Sequence, residues 1–313
     1  MKRKEIRLNQ IDWADERFRI SYFFDLQPLV FSIKKIGVIN PPVVTLGRRH
    51  YILVCGWKRV LACRELHEKK ITVWVAERKT ARELLLMSFY ENWATREFSA
   101  LEKAEIIKKL KDSGEKEQEI TRCILPFLNI PSTLSYLDTY MKISRMDPEI
   151  KKEVYESNMG FKVLQLLVEF NPEEQKLLIP WLLPVGKNKQ QEIIENIQEI
   201  ACREDLSLSE IFQLPQVKAV SDSEKLSSVQ KANKLREELV KIRFPQLSRR
   251  REAFHRWTRE IQWPPDVDIY PAPYFEENWY RVHFRFKNKE EYERKIERLN
   301  KLNREKLSKL FHE

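Results

Sequence analysis

Val54-Cys55-Gly56-Trp57-Lys58-Arg59-Val60-Leu61-Ala62 decides how the first third of this chain is read. The residues just before it, 50–54, are β-branched and aromatic and favour a strand. Gly56 permits a tight turn, and residues 57–66 carry a helical pattern. A glycine turn feeding a helix start presents unpaired N–H groups and the positive end of the helix dipole, which suits a phosphate. Lys58 and Arg59 place two cations in that first turn, where acids are usually favoured, so an anion is expected there. Glu91-Asn92-Trp93-Ala94-Thr95-Arg96 closes a second helix that begins near Thr80. Glu91 and Asn92 are neighbouring oxygen donors of the kind a hard cation takes, and Arg96 lies one helical turn beyond Asn92. A surface turn and a solvated helix end account for the same spacing, and residue type alone does not choose between them.

Outward from these stretches, residues 1–98 alternate strands and helices. Residues 5–8 alternate as a strand, and Asp25 is placed to cap a helix whose Leu29, Val30, Ile33 and Ile36 share a face. Gly37 ends that helix, and Pro41-Pro42 block its continuation. Residues 43–46 and 51–54 flank Gly47-Arg48-Arg49 as a hairpin, and residues 71–75 form another strand. Ser99-Ala100-Leu101-Glu102 is a capping box opening a helix to about Asp112, with Gly114 as its stop. The apolar spacing is then helical to about Leu214, punctuated by Pro131, Pro148, Pro172 and Pro184. Asn188 reads as the N-cap of a helix burying Ile193, Ile194, Ile197 and Ile200; the loop around it lacks the Walker A spacing. Residues 220–223 read as a linker end.

From about Ser223 the pattern gives two helices, two strands and a long helix. Leu247, Phe254, Trp257 and Ile261 fall in one arc of a helical wheel, and Arg249, Arg256 and Arg259 fall opposite. That geometry turns the arginines outward, as a DNA backbone contact requires. In residues 279–286 Tyr280, Val282, Phe284 and Phe286 alternate with Arg281, His283 and Arg285. The last helix, residues 290–311, carries Tyr292, Ile296, Leu299, Leu302, Leu307 and Leu310.

Composition bounds the function. The 313 residues are 42% hydrophobic and 33% charged with a net charge of +10, a soluble globular pattern that favours an anionic partner such as nucleic acid. Cys55, Cys63, Cys123 and Cys202 have no CxxC spacing, so neither a zinc site nor a disulfide framework is expected. No leader-like apolar run opens the sequence, and nothing approaches the ~20 apolar residues of a membrane span. A cytoplasmic protein with no membrane partner is expected.

Residues 37–44, residues 47–54, the Gly56 turn and the Glu91–Arg96 box come in the order of the ParB/sulfiredoxin-like domain, which the chain resembles over roughly residues 5–110. ParB partition proteins carry a glycine-glutamate-arginine-arginine box with a further arginine-alanine, and later a glutamate-asparagine pair followed by an arginine. The matches here are Gly56, Arg59 and Ala62, then Glu91, Asn92 and Arg96. The resemblance implies nucleotide binding, of CTP, through Gly56, Lys58, Arg59, Glu91, Asn92 and Arg96, with Glu91 and Asn92 meeting magnesium through the nucleotide. Trp57 stands at the box glutamate, Lys58 at its first arginine and Leu61 at its later arginine, which removes cationic contacts to a triphosphate. The sulfiredoxin branch requires a cysteine just after the turn glycine; Trp57 is there instead, so that chemistry is not expected.

In ParB proteins the middle segment holds a helix-turn-helix. Its counterpart here is the turn Asn129-Ile130-Pro131 followed by a helix capped by Ser132 or Thr133 and running through Leu134, Leu137, Tyr140 and Met141. Pro126 and Pro131 make it a degenerate motif. Its exposed face is expected to offer Ser135, Tyr136, Asp138 and Thr139, with Lys142 the sole cation, so Ser135, Tyr136, Thr139 and Lys142 are the DNA-reading candidates. The C-terminal order of elements is similar to the ParB dimerisation and DNA-contacting domain, by order alone.

The expectation is an α+β multidomain protein. A small mixed α/β ParB/sulfiredoxin-like domain occupies 1–98, an all-helical domain with a degenerate helix-turn-helix 99–215, and a basic αββα domain 223–313. The resemblance implies a DNA-binding, CTP-linked, nucleoid-associated homodimer in chromosome or plasmid partitioning or related regulation, with a ParA-like ATPase as partner and at most a weak CTPase. No catalytic residue is assigned. Two alternatives stay open: a metal-dependent nuclease built on Glu91, and a non-catalytic interaction module with a vestigial nucleotide site.

Overall fold

The computed structural model describes residues 1–22, 24–77, 79–277 and 279–302. Its contacts divide the chain into two compact units, Met1–Leu183 and Pro184–Glu313.

In the first unit, β1 (Lys2–Arg7), β2 (Val43–Leu46), β3 (Tyr51–Cys55) and β4 (Lys70–Ala76) form a sheet of order β1-β4-β2-β3. β4 runs antiparallel to β1 and parallel to β2, and β2 and β3 pair as the expected hairpin. Ile71, Val73 and Val75 of β4 are buried while Thr72 and Trp74 are half-buried, the period of two that a one-sided sheet imposes. Helices α1 (Gln27–Ile36) and α2 (Trp57–Glu65) cover the sheet, closing a core through Ile6, Ile33, Val44, Leu53, Trp57, Val60 and Val73. Gly37, at φ 72°, donates its N–H to the Ile33 carbonyl, so the C-terminal end of α1 forms as read; at the other end Leu26, not Asp25, is the N-cap, and Asp25 accepts the Gln27 N–H at 2.9 Å from one residue earlier. The first strand starts earlier than its alternation suggested, and Leu8 already belongs to a 3₁₀ turn.

Helix α3 (Ala81–Trp93) follows, opened by a Thr80–Glu83 capping box, and α4 (Ala100–Asp112) by the Ser99–Glu102 box. α4 buries Ala104, Ile106, Ile107 and Leu110 on one face. α5 (Glu117–Glu119) runs into a π turn at Ile120–Ile124 and a 3₁₀ turn at Pro126–Leu128, because Pro126 has no N–H to continue an α-helix. Then come α6 (Leu134–Ser144), α7 (Pro148–Glu156), α8 (Phe161–Leu167) and α9 (Pro172–Leu182).

The second unit packs α10 (Lys187–Glu204), α11 (Leu208–Gln213), α12 (Pro215–Ser221), α13 (Ser228–Arg243) and α14 (Pro245–Glu260), then β5 (Asp268–Pro271), β6 (Tyr280–His283) and α15 (Lys289–Asn300). Ile193, Ile194, Ile197 and Ile200 of α10 and Ala232, Leu235 and Leu239 of α13 are fully buried. Asn188 is not the N-cap of α10: Gly186 is, and Asn188 lies in the first turn. Burial of Val185 at 8% exposure fixes the chain's entry before the asparagine is reached. Val220 and Ser221 close α12 rather than forming a linker, with Val220 buried. β6 pairs only as far as His283, opposite Asp268, because its partner strand begins only at Asp268, after a turn in which the Val267 N–H donates to the Pro264 carbonyl at 3.1 Å. Leu307 and Leu310 of the expected last helix lie outside the described residues.

Candidate functional site

Gly56 turns the chain from β3 into α2 at φ 89° and ψ 25°. A Cβ there would lie 2.8 Å from Pro42 Cβ, so backbone sign and crowding both require glycine. Trp57, next in line, is 6% exposed and joins the core under the sheet, with the Arg19 guanidinium 5.1 Å from its ring. The position where ParB has an acid therefore contributes to packing here and presents nothing to the turn.

Lys58 and Arg59 diverge. The Lys58 ammonium sits 4.8 Å from the Phe24 ring and, among the described residues, has no carboxylate within ion-pair distance. Burial, then the Arg96 charge, lower its pKa, with Glu102 opposing. Arg59 reaches back across the turn: Nη1 donates to the Asn40 carbonyl at 2.7 Å and Nη2 to Glu91 Oε1 at 2.5 Å. That single side chain ties the α2 box to the α3 box.

The last turn of α3 and the corner after it supply the rest. Asn92 Nδ2 donates to the Ser88 carbonyl at 2.8 Å and to Glu91 Oε2 at 3.2 Å, leaving Oδ1 to accept from Arg96 Nε at 3.2 Å. Arg96 also donates from Nη1 to Glu102 Oε2 at 2.9 Å and from Nη2 to Ser21 Oγ, and it lies 4.9 Å from the Phe98 ring. Glu102 thus serves twice, since the same Oε2 accepts the Ser99 N–H of the capping box at 3.0 Å. The six residues proposed from the sequence are in one place. Asn40, Ser21, Phe24 and Glu102 complete the site; of these, only Glu102 carried a local signal, and it was a helix cap.

The donor set fits an anion better than it fits a bare metal. The Lys58 ammonium and the N–H groups of Trp57 and Lys58 are left for a phosphate, whereas the Arg59 N–H already donates to the Gly56 carbonyl at 3.0 Å and the Arg59 and Arg96 side chains are paired. Glu91 is the one carboxylate of the α3 box, and no group of three or more His, Cys, Asp or Glu suited to a metal occurs among the described residues. Magnesium would therefore be held mainly by phosphate oxygens, with Glu91 and Asn92 contributing after exchanging their present partners. Cys55, buried behind the turn, has its thiol pushed up to about 12 by burial and by the Glu91 carboxylate, against Arg59; burial, then Glu68, raises Cys63 to about 11.

The DNA candidates fall into two groups. On α6, Thr133 caps the helix, donated to by the Tyr136 N–H at 3.4 Å, and Ser135 is exposed. Thr139, expected on the exposed face, is 5% exposed and donates its hydroxyl to the Ser135 carbonyl at 3.0 Å. The buried arc of α6 is wide, taking in Leu137, Tyr140, Met141, Ile143 and Ser144, and it sweeps Thr139 in with it. Tyr136 stacks on Phe161 at 6.0 Å, and Lys142 is held by Glu169 at 2.9 Å and Asp138 at 3.4 Å. On α14, Arg249, Arg256 and Arg259 are exposed opposite buried Phe254 and Trp257. None of the three has a carboxylate within ion-pair distance among the described residues.

A mixed sheet covered by two helices, with a glycine turn cross-linked to the end of a third, defines a ParB-like α/β domain. The family model described as the ParB N-terminal domain matches residues 3–93, and that stretch is ParB-like. No curated protein matches the chain. Among solved structures, the C-terminally truncated chromosome-partitioning protein ParB from Caulobacter crescentus complexed with CTP-γ-S is 19% identical, covering 56% of this chain and 98% of its own, at a TM-score of 0.28. The same protein complexed to the centromeric parS site is 17% identical, covering 61% and 98%, at 0.35. A Pnob8-like ParB-N domain is 12% identical, covering 77% and 97%, at 0.39. The family match assigns the domain. Among the described residues no helix is long and apolar enough to cross a membrane.

Proposed function

We propose that the chain is a ParB-like partition protein that binds DNA and takes a nucleoside triphosphate at the Gly56 turn. The observation that carries the nucleotide reading is the Arg59–Glu91 pair, which joins the two boxes beside Lys58, a lysine with no carboxylate partner among the described residues. On this reading Lys58 and the α2 N–H groups meet the phosphates first. Arg59 then leaves Glu91 for a phosphate oxygen, and the freed carboxylate, with Asn92, turns to magnesium. CTP is the nucleotide the family resemblance implies. The α14 arginines contact the DNA backbone, and Ser135 and Tyr136 are the residues of α6 left to face a preferred sequence. A division at 1–98, 99–215 and 223–313, a homodimer and a ParA-like partner belong to the same proposal.

Titration of labelled CTP, with ATP and GTP as controls and with magnesium present or absent, tests it. Binding that prefers CTP and tightens with magnesium is expected. If no nucleoside triphosphate binds at millimolar concentration, the turn is vestigial and the protein is an interaction module. The nuclease alternative has less support, since among the described residues no other acids converge with Glu91 on one metal position.

A further inference from the structure

The second unit holds a cavity of about 520 Å³ where α13 meets α14, lined by Arg203, Arg243, Phe244, Leu247, Arg250 and Tyr274. Two of its aromatic rings are open to solvent: Tyr274 is 69% exposed and Phe244 39%. Tyr274 is also held at φ 55° and ψ 12°, in the left-handed region that L side chains rarely adopt. Its neighbour Phe275 shares a positive φ, but Phe275 packs against Phe254 in the core, whereas the Tyr274 ring gains no such burial. Backbone strain that packing does not offset points to a use for the ring.

The charges around the rings are unequal. Arg203 is occupied by Glu204 and by the carbonyls of Ile242 and Arg243, and Arg243 by Glu199 and Asn196 Oδ1. Both guanidinium groups are thereby held in place, and that of Arg243 lies 4.7 Å from the Phe244 ring. Arg250 donates to the Phe275 carbonyl at 3.0 Å and has no carboxylate partner among the described residues. Beside it α14 begins at Phe244 without a side-chain cap and without an acid in its first turn. The cavity thus offers two exposed rings, one cation without a carboxylate partner among the described residues and, since Pro245 has no N–H, the N–H groups of Gln246 and Leu247 at the helix start.

We propose that this cavity takes one unstacked nucleotide of single-stranded nucleic acid, its base against Tyr274 and Phe244 and its phosphate at Arg250 and the start of α14. Aromatic faces bind any base by stacking, and a neighbouring arginine supplies the backbone contact. This site is separate from the outward stripe of Arg249, Arg256 and Arg259, which offers cations and no ring.

The test uses the full chain and a labelled twenty-residue oligothymidine, measured by fluorescence anisotropy beside a random duplex. Tyr274→Ala is expected to weaken single-strand binding roughly 5- to 150-fold, the range for loss of one stacked base, and to leave duplex affinity unchanged. Tyr274→Phe keeps the ring and should bind within about twofold of wild type, on the same stacking argument. Tyr274→Gly relieves the left-handed strain, so its melting temperature should hold or rise while single-strand affinity falls; that separates loss of a contact from loss of fold. Equal single-strand affinity in wild type and Tyr274→Ala, or no single-strand binding by wild type, overturns the proposal. A free thymidine monophosphate binding as tightly as the strand would overturn the strand assignment in favour of a mononucleotide.

Discussion

Replacing Arg249, Arg256 and Arg259 together with alanine isolates the backbone-binding stripe of α14. All three are exposed and without carboxylate partners among the described residues, so each is free to neutralise one phosphate. Each lost contact lowers the slope of log K against log salt by about 0.9 for duplex DNA, or about 2.7 for the three. Over a fourfold rise in salt, from about 50 to about 200 mM, that slope difference means wild type loses roughly 40-fold more affinity than the variant. The fold should not notice: arginine and alanine have similar helix propensity, and the apolar face of Phe254 and Trp257 is untouched. Anisotropy of a labelled random duplex at several salt concentrations reads the slope, and a circular dichroism melt checks the fold. A variant that binds as tightly as wild type with the same slope refutes the assignment and moves attention to α6.

Three further outcomes are expected. Lys58→Ala should weaken nucleoside triphosphate binding by roughly 10- to 150-fold, since a charge-assisted hydrogen bond is worth ~1.5–3 kcal/mol, and it leaves the Arg59–Glu91 pair in place; unchanged affinity in the CTP titration would remove Lys58 from the site. Gly56→Ala should cost about 2–4 kcal/mol, from left-handed strain and the clash with Pro42, read as a lowered melting temperature; a variant melting with wild type would mean the turn relaxes freely. Native protein at neutral pH should alkylate at Cys123 and Cys202, which are exposed, and spare Cys55 and Cys63, which are buried. Because the Cys55 thiol is raised from 9.0 to about 12, it holds its proton longer in the folded state. Its contribution to stability is present below pH 9 and is lost as pH climbs towards 12, and Cys55→Ala should soften that alkaline decline in a denaturant series.

Local signals carried the helices and most strands. The Ser99–Glu102 capping box, the Gly37 and Gly114 stops and the hairpin at residues 43–54 lie in stretches short enough for neighbouring residues to decide them. The partnership of Arg59 with Glu91 is different, because it depends on the sheet order β1-β4-β2-β3 bringing α2 and the end of α3 together, and no local spacing encodes that order. Thr139 was misplaced because it sits at the border of a helical arc, where one extra buried neighbour changes its side. Trp57 could be seen to break the ParB box, but its descent into the core is set by what lies beneath α2.

The three residues before β2 carry a constraint of their own. The Asn40 carbonyl holds Arg59, the Pro42 ring roofs Gly56, and the Pro42 carbonyl accepts the Trp74 N–H at 2.8 Å, locking the loop to β4. Two of these three contributions come from backbone oxygen, which any residue supplies. The loop is therefore tolerant of spelling and intolerant of counting: substitutions at Asn40 can pass, whereas inserting or deleting a single residue between Gly37 and Val43 would slide the carbonyl off the guanidinium and the ring off the turn. In an alignment, the mark of a working turn in this lineage would be an invariant gap length more than an invariant letter.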